Sequence, residues 1–301
     1  MKNLSEACFI CGGKDFADSS RDYSRCGTCG LETIKRDTAA EAIVSDMLIL
    51  ENIRKRNLLD SFQKRVLEEC AVTKDLLLDI GSGSGRFLYH NGPKFQDAVG
   101  IEISHECAYF AREKLGLKIE KDITNLNSVV SAATFWHSLE HMTRVDIERS
   151  LNRLNMKSSF DTRLIISFPN NNSLQYLLFG EGFAYYDKES HIHQFSLRSL
   201  DRLMGKYRFE RLRFFYSFPY SIFGWLQGFI NKFNPIHDYL YYRRKRGETF
   251  DKSEHELFLL DAYNFLLALF FSMPAALLSL TDLVCPERGG VITTCYRRKK
   301  E

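Results

Sequence analysis

The stretch "LLLDIGSGSGRF", residues 76–87, runs from an apolar segment through an acid into three closely spaced glycines. A turn from a buried strand through glycines into a helix is typical of nucleotide-binding loops. The dinucleotide fingerprint is G-x-G-x-x-G, but here Gly85 comes one residue early and Arg86 replaces the third small residue. Asp79 would also repel phosphates at the start of the following helix. The loop therefore predicts a ligand with a positive end rather than a pyrophosphate.

From residue 75 onward, apolar runs of strand length alternate with segments of helical periodicity. One helix is predicted before them, over residues 38–70. The predicted strands lie at 75–80, 97–103, 117–123, 132–138 and 162–168. This alternation is typical of α/β proteins, in which helices cover both faces of a parallel sheet. Ligands bind such sheets beyond the carboxyl ends of the strands. The residues at these ends are Asp79, Gly81, Gly83, Gly85, Glu102, Asp122 and His137.

Two acids at successive strand ends point to an adenosine. Glu102 ends the second predicted strand, where an acid can accept hydrogen bonds from both hydroxyls of a ribose. Asp122 ends the third predicted strand, where an acid can accept a hydrogen bond from the amino group of adenine. Either acid alone would be read as a solvated strand end. Together with the glycine loop they predict an adenosine site that needs no phosphate.

Near the N-terminus two cysteine pairs, Cys8-x-x-Cys11 and Cys26-x-x-Cys29, are each followed by a glycine. A Cys-x-x-Cys turn directs two thiolates at one point, and two such turns give tetrahedral zinc coordination. The alternative is four unliganded thiols. We expect a zinc site, and a structural one, because closed four-cysteine sites leave no open position for chemistry.

The bulk composition narrows the class of protein. The chain has 301 residues, of which 45% are apolar, and a net charge of +3. That charge is too small to indicate a nucleic-acid partner. The cysteine segment balances its cations with acids, so it offers no basic surface for RNA. The N-terminus has no apolar signal core, so we expect a cytoplasmic protein.

Several motifs together resemble a known enzyme family. "LLLDIGSGSGRF" and "VGIEIS" (99–104) resemble class I S-adenosylmethionine-dependent methyltransferases. "FWHSLEHM" (135–142), "ISFPNN" (166–171) and "HIHQFSLRSLDRLM" (191–204) resemble a branch that includes bacterial methyltransferases of quinones, sugars and cell-envelope glycans. Some members of that branch carry similar N-terminal cysteine pairs. The resemblance implies a Rossmann-like α/β fold with a mostly parallel seven-stranded sheet, and S-adenosylmethionine as cofactor.

The resemblance also implies roles for particular residues. The acid and the glycines of the loop would hold the methionine part, Glu102 the ribose, and Asp122 with Ile123 the adenine. His137 would meet both cofactor and acceptor. The implied cofactor-binding residues are Asp79, Gly81, Gly83, Gly85, Glu102, Ile103, Asp122, Ile123 and His137.

Methyl transfer from a sulfonium is an in-line displacement, so positioning supplies most of the catalysis. A general base is needed only when the acceptor is a hydroxyl or an acidic carbon. Histidine titrates in the range that this role requires. The candidate catalytic residues are His137, His141, His191 and His193.

A long insertion separates the sixth predicted strand, 208–216, from the seventh, 289–299. It holds an uncharged stretch at 262–280, and Pro274 within it suggests a break between two helices. Three interpretations stay open: a buried helical hairpin that caps the acceptor site, a homodimer contact, or a peripheral contact with the inner face of a membrane. Basic runs at 243–246 and 297–300 favour the membrane.

These observations predict five segments. They are a zinc-binding segment at 1–36, a helical linker at 37–74, a methyltransferase core at 75–216, a helical insertion or cap at 217–288, and a last strand with a basic tail at 289–301. The predicted function is O- or C-methylation of a sugar, glycan or lipid-linked small-molecule acceptor. Two alternatives are an RNA methyltransferase that binds RNA through the zinc segment, and a non-enzymatic adenosine-binding scaffold.

Overall fold

The computed structural model describes residues 7–35, 49–124, 126–234, 236–239, 242–243, 250 and 252–300. The chain divides into two compact units. The first comprises Met1–Phe168, Asp187–Phe215 and Ile292–Glu301. The second comprises Pro169–Tyr186 and Tyr216–Val291, so it contains the insertion and also a segment that the sequence suggested belonged to the core.

Eleven strands lie in the described part of the chain and form two sheets. They are β1 (Phe16–Asp18), β2 (Tyr23–Cys26), β3 (Glu32–Ile34), β4 (Leu76–Ile80), β5 (Asp97–Ile101), β6 (Lys118–Glu120), β7 (Val130–Trp136), β8 (Ser158–Pro169), β9 (His193–Gln194), β10 (Phe209–Phe215) and β11 (Val291–Arg298). The large sheet has seven strands in the order β10-β11-β8-β7-β4-β5-β6. The small sheet has the order β1-β2-β3-β9.

Strand β4 lies at the centre of the large sheet and is buried in all five of its residues. It pairs in parallel with β5 on one side and with β7 on the other. Strand β6 extends this parallel order beyond β5, and β8 extends it beyond β7. Strand β11 runs antiparallel to β10. The predicted Rossmann-like, mostly parallel seven-stranded sheet is confirmed, and the carboxyl ends of β4, β5, β6 and β7 form one edge.

The helices cover residues between these strands. They are α1 (Leu50–Arg54), α2 (Leu58–Cys70), α3 (Arg86–Asn91), α4 (His105–Leu115), α5 (Arg144–Met156), α6 (Leu174–Phe179), α7 (Leu197–Lys206), α8 (Phe218–Phe233) and α9 (Glu254–Val284).

The prediction of one helix over 38–70 is wrong in its described part, and residues 36–48 lie outside the described residues. The helix ends at Arg54 and a new one begins at Leu58. Asn57 caps the second helix: its side chain accepts from Asp60 N, and the Asp60 carboxylate accepts from Asn57 N. This reciprocal capping box satisfies free helix-end donors and sets a helix start where apolar periodicity alone shows none.

In the second unit, α8 and α9 form an antiparallel helical hairpin. Tyr216 Oη donates to Ser279 O, and the rings of Phe229 and Phe271 stack with centroids 4.6 Å apart. Further along, Asn234 Nδ2 donates to Asn264 Oδ1 over 2.7 Å. Residue numbers rise along α8 as their partners' numbers fall along α9, as an antiparallel pair requires.

The expected helix break at Pro274 is wrong, because α9 is continuous from Glu254 to Val284 with the proline inside it. Proline removes one backbone donor, so the helix forgoes a single hydrogen bond at that turn. Long runs of strong helix formers on both sides of Pro274 hold the rest of the helix together.

Arg86, the residue that breaks the dinucleotide pattern, joins α3 to the helices before it. Its Nε donates to Asp60 Oδ1 over 2.7 Å, and its Nη2 donates to Lys55 O over 2.6 Å. The Asp60 side chain is 4% exposed. Burial alone would raise the pKa of Asp60, but the Arg86 guanidinium holds that pKa below its usual value.

We expect Arg86→Gln to lower the free energy of unfolding by about 1.5–3 kcal/mol, since it removes charged hydrogen bonds from a buried carboxylate. Urea denaturation at neutral pH measures this loss. The control is Lys118→Gln, which removes an equally close but exposed pair with Asp97 and should change stability by less than about 1 kcal/mol. Equal losses in the two variants would contradict the prediction.

Candidate functional site

The glycine loop follows β4 with left-handed backbone angles at Gly81 (φ 73°) and Gly83 (φ 53°). A Cβ added to Gly81 would lie 2.3 Å from Ser138 Cβ, so this glycine permits close contact between two loops. A Cβ added to Gly83 would have no protein atom within 4 Å. Gly83 therefore presents bare backbone to open space, as a loop that approaches a ligand does.

Asp79 lies at the end of β4 and is 2% exposed. Its Oδ1 accepts from Thr134 Oγ1 over 2.6 Å. Burial raises the pKa of Asp79 to about 7, and the nearby Glu102 charge adds to the effect. A positive ligand end close to this carboxyl would favour its ionised form. The geometry thus suits the cationic ligand that the sequence predicted.

Glu102 follows β5 and organises the loop. Its Oε2 accepts from Gly83 N, and its Oε1 accepts from Ser104 N, both over 2.7 Å. A carboxylate offers about four acceptor positions, so two remain for the hydroxyls of a ribose. Glu102 is therefore both a support for the glycine loop and a candidate ligand for the sugar.

The remaining predicted cofactor residues follow β5 and β6. Ile103 is 78% exposed, unusual for so apolar a side chain, and it offers a flat contact for a base. Asp122 is exposed, and its Oδ1 accepts from Thr124 N over 2.7 Å. The neighbouring Ile123 is buried. Their roles towards adenine stay predictions.

His137 comes directly after β7 with a left-handed φ of 53°, a conformation that costs energy in a residue other than glycine. Its backbone N donates to Ser167 O, and its Nε2 lies 3.3 Å from Ser167 Oγ. Its Nδ1 lies 3.5 Å from Glu140 Oε1. The next residue, Ser138, donates from its hydroxyl to Ile80 O, which ties this loop to the end of β4.

The structure brings His141 and His191 together with a buried acid. Their ring centroids are 4.7 Å apart, and the ligand atoms of Glu140, His141 and His191 all lie within 4.8 Å of one another. Burial, with the charge of His141, lowers the pKa of His191 to about 4, so this imidazole is neutral at pH 7. Three of the four predicted histidines thus surround Glu140.

The fourth, His193, has different surroundings. It belongs to β9, and its Nδ1 lies 3.2 Å from Thr33 Oγ1. Its ring packs against Phe9 and Phe195. Burial lowers the pKa of His193 to about 4. The contacts with Thr33 and Phe9 are with the cysteine segment. A catalytic role for His193 stays a prediction.

The cysteine segment supports the loop that carries His191. Strand β3 pairs with β9. Tyr23 Oη donates to His191 O over 2.8 Å, and Ile34 N donates to Ile192 O over 3.0 Å. On the other side, Ile192 N donates to Glu140 O over 2.9 Å. The backbone of 191–192 is therefore held between the cysteine segment and the loop after β7.

The four cysteines of that segment meet at one point. Sγ of Cys8 is 3.7 Å from Sγ of Cys29, and Sγ of Cys11 is 3.6 Å from Sγ of Cys26. A tetrahedral ion with bonds of about 2.3 Å separates its sulfur ligands by about 3.8 Å. The set fits a four-thiolate metal site.

Glu140 is the residue that sequence reasoning missed. The two histidines of the motif "HSLEH" (137–141) are among the predicted site residues, whereas Glu140 between them is not. The available signal was its position: a carboxylate between two histidines after a strand end has the composition of a metal or proton-transfer site.

We expect Glu102→Ala to weaken S-adenosylmethionine binding 10- to 100-fold, because charged hydrogen bonds of about 1–3 kcal/mol are lost. Glu102→Gln keeps one acceptor oxygen and should fall between this variant and the wild type. Calorimetry measures both affinities. Binding of NAD in place of S-adenosylmethionine would contradict the assignment of the site.

Comparison with known proteins identifies the family to which this chain belongs. A family model described as a methyltransferase domain matches residues 51–212, more than half of the chain. No curated protein matches the chain. An S-adenosylmethionine-dependent methyltransferase from Archaeoglobus fulgidus has 16% identity and a TM-score of 0.46, with 84% of this chain and 99% of that chain covered.

Two further solved structures match over shorter lengths. A sugar N-methyltransferase from Streptoalloteichus has 22% identity and a TM-score of 0.34, with 44% of this chain and 57% of that chain covered. Streptomyces venezuelae DesVI has 18% identity and a TM-score of 0.34, with 41% and 55% covered, so the chain spans about half of its length. These likenesses carry no inference about the acceptor. On the family match, the sheet order and the glycine loop, the chain belongs to the class I S-adenosylmethionine-dependent methyltransferases.

Proposed function

We propose that this methyltransferase modifies a sugar or glycan carried on a lipid, by O- or C-methylation, while its helical hairpin lies on an anionic membrane. S-adenosylmethionine supplies an electrophilic methyl group when bound, and the chain supplies the positioning. The observation that carries the proposal is the outer face of α9, which is apolar and exposed over the length of the helix.

A water-soluble helix buries its apolar face, whereas α9 exposes most of its large apolar residues. The buried residues of α9 are Leu257, Asn264, Ala275, Ser279 and Asp282, three of which are polar. Asp282 Oδ2 accepts from Ser221 Oγ over 2.6 Å and from Gln175 Nε2 over 3.1 Å. The polar groups are thus satisfied inside the second unit, as they must be in a protein that faces hydrocarbon.

The outer face of α9 is exposed and apolar. Phe270 is 73% exposed and Met273 70%. The other exposed apolar residues of this helix are Phe258, Leu259, Tyr263, Phe265, Leu266, Leu269, Leu277, Leu280, Leu283 and Val284. Together they present on the order of 1,000 Å², which exceeds the largest apolar patch of an ordinary monomer, about 300–600 Å².

Neighbouring helices of the second unit add to this exposed area. Phe218, Phe223 and Phe233 of α8 are exposed, as are Leu174, Leu177 and Leu178 of α6. Gly228 permits α8 to approach α6, because a Cβ added at this position would lie 2.4 Å from the Phe179 ring. The apolar character therefore belongs to the unit and is not confined to one helix.

A lipid surface fits this face better than a second copy of the chain. Protein interfaces carry about one hydrogen bond per 100–200 Å². The two hydroxyls on the outer face, Tyr263 and Ser272, already donate to Phe233 O and Leu269 O. No charged residue lies between Asp261 and Asp282. Hydrocarbon requires no hydrogen bonds from such a surface.

By length and composition α9 could cross a membrane, and only 17% of its most apolar 18-residue stretch is buried. A single crossing does not fit the connectivity, because the chain leaves the sheet at β10 and re-enters it at the adjacent strand β11. A return crossing needs a second helix of about 20 residues, and α8 has 16. The segment between α8 and α9 carries the run "RRKR" at 243–246. Basic residues near a helical hairpin that lies in the plane of a membrane favour anionic headgroups.

The acceptor follows from this location, because a lipid-linked sugar lies in the same surface. The test incubates the protein with methyl-labelled S-adenosylmethionine and separate lipid, aqueous and RNA extracts of bacterial cells. We expect label in the lipid extract, released with the sugar on mild acid hydrolysis, and much less label with Glu102→Ala at a low concentration of S-adenosylmethionine. Label in the RNA or the aqueous extract alone would refute the lipid-linked acceptor.

The cysteine segment does not favour the alternative of an RNA acceptor. In its described residues, Arg25 pairs with Glu32 and Lys35 pairs with Asp18, so these cations are already balanced by acids.

We expect the protein to float with phosphatidylglycerol vesicles and the double variant Leu266→Gln/Phe270→Gln to bind them at least ten-fold more weakly, since each apolar side chain contributes about 1.5–3 kcal/mol. Leu58→Gln and Val145→Gln alter equally exposed residues of the first unit and should bind like the wild type. Changing the 243–246 run to glutamine should weaken binding most at low salt. The membrane proposal would be overturned if the protein, as a monomer or as a dimer of doubled solution mass, does not bind the vesicles.

We propose a structural zinc ion at Cys8, Cys11, Cys26 and Cys29. Metal analysis of protein purified without chelator should return one zinc per chain bound to cysteine. Cys11→Ser should lose it and loosen the 191–194 backbone, seen as faster amide exchange there. Cys285→Ser, at an exposed cysteine outside the segment, should keep the zinc. Absence of zinc from the wild type would contradict the site.

A further inference from the structure

We infer that Glu140, His141 and His191 bind a divalent transition-metal ion such as Mn²⁺, Fe²⁺ or Zn²⁺, distinct from the zinc ion proposed at the cysteines. The three residues offer one carboxylate and two imidazoles, with ligand atoms within 4.8 Å of one another. This donor set is typical of sites that keep open positions for oxygen ligands. Ligand atoms around such an ion lie about 3–4 Å apart, so a small side-chain rotation closes the site.

The state of the Glu140 carboxylate is the first independent observation. Glu140 is 1% exposed, and neither of its oxygens accepts a hydrogen bond from the residues that the structure describes. The Nδ1 atom of His137 lies 3.5 Å from the Oε1 atom of Glu140. One long contact with an imidazole balances a buried carboxylate only in part, and a bound cation would compensate both oxygens.

The orientation of the His141 ring is the second independent observation that supports a metal site. Its Nδ1 lies 3.1 Å from the Ser190 carbonyl oxygen, and only a protonated nitrogen can donate to a carbonyl. The Nε2 of the neutral ring then carries the lone pair. Metal-binding histidines commonly donate their other ring N–H to a carbonyl, which fixes the tautomer in this way.

The surroundings leave one side of the cluster accessible. Glu140 and His191 are buried, whereas His141 is partly exposed and the neighbouring His137 side chain is 26% exposed. An ion here would have protein ligands on its inner side and open positions on its outer side. Those positions suit the hydroxyl oxygens of an acceptor such as a sugar, a role that rests on the proposed function; the binding of the ion does not.

The same residues permit another arrangement, in which Glu140 only balances protonated histidines. The metal site and this metal-free arrangement differ in whether the protein takes up a metal ion. We would load the cysteine site with zinc, dialyse, titrate Mn²⁺ and follow free Mn²⁺ by electron paramagnetic resonance. The wild type should take up one Mn²⁺ per chain. Glu140→Gln, which keeps the shape of the side chain, and His191→Gln should bind at least ten-fold more weakly.

His255→Gln is the control, because it removes an exposed histidine at the start of α9 and should bind Mn²⁺ like the wild type. Thermal unfolding gives a second measure: Mn²⁺ should raise the midpoint of the wild type and of His255→Gln but not that of His191→Gln. No Mn²⁺ uptake by the wild type, or equal uptake by the wild type and both site variants, would overturn the inference. Neither result bears on methyl transfer itself, which the labelled-lipid experiment tests.

Discussion

The burial of β4 between two parallel neighbours is the constraint on which the functional part of the molecule depends. Backbone groups in the middle of such a strand are paired on both sides, so only its ends can offer free polar groups. Ligands of such sheets bind at the carboxyl ends. The chain therefore turns into the glycine loop at Gly81 and leaves Asp79 buried against Thr134. Because β5 and β7 run in the same direction, Glu102 and His137 reach the same edge.

The sequence predicts this edge well because the signals are local. Each strand is an apolar run of the right length, and each site residue stands at the end of one. The capping box of Asn57 and Asp60 is also a local signal, overlooked because the apolar periodicity continues through it. The contact of His191 with Glu140 has no such signal. It depends on the pairing of β3 with β9, which joins segments far apart in the chain through a strand too short to show periodicity.

That long-range pairing gives the cysteine segment a role that its composition does not reveal. Tyr23 and Ile34 hold the backbone of 191–192, whose other side bonds to Glu140 O. A metal at the cysteines would then act at a distance, by fixing the backbone that carries His191. Catalytic groups need to be held within fractions of an ångström, and a rigid small sheet is a means of doing so.

The position of β11 between β10 and β8 has a consequence for the order of folding. Strand β11 follows the hairpin in the chain, so during synthesis the ribosome releases α8 and α9 before the strand that completes the sheet. Domains assembled from distant segments expose apolar surface while they wait for the last one. Here β8 and β10 wait for β11, while the outer face of α9 is exposed both before and after the sheet is complete. A nascent chain would therefore meet a membrane or a chaperone before its sheet is complete, and its yield in cells should depend on which comes first.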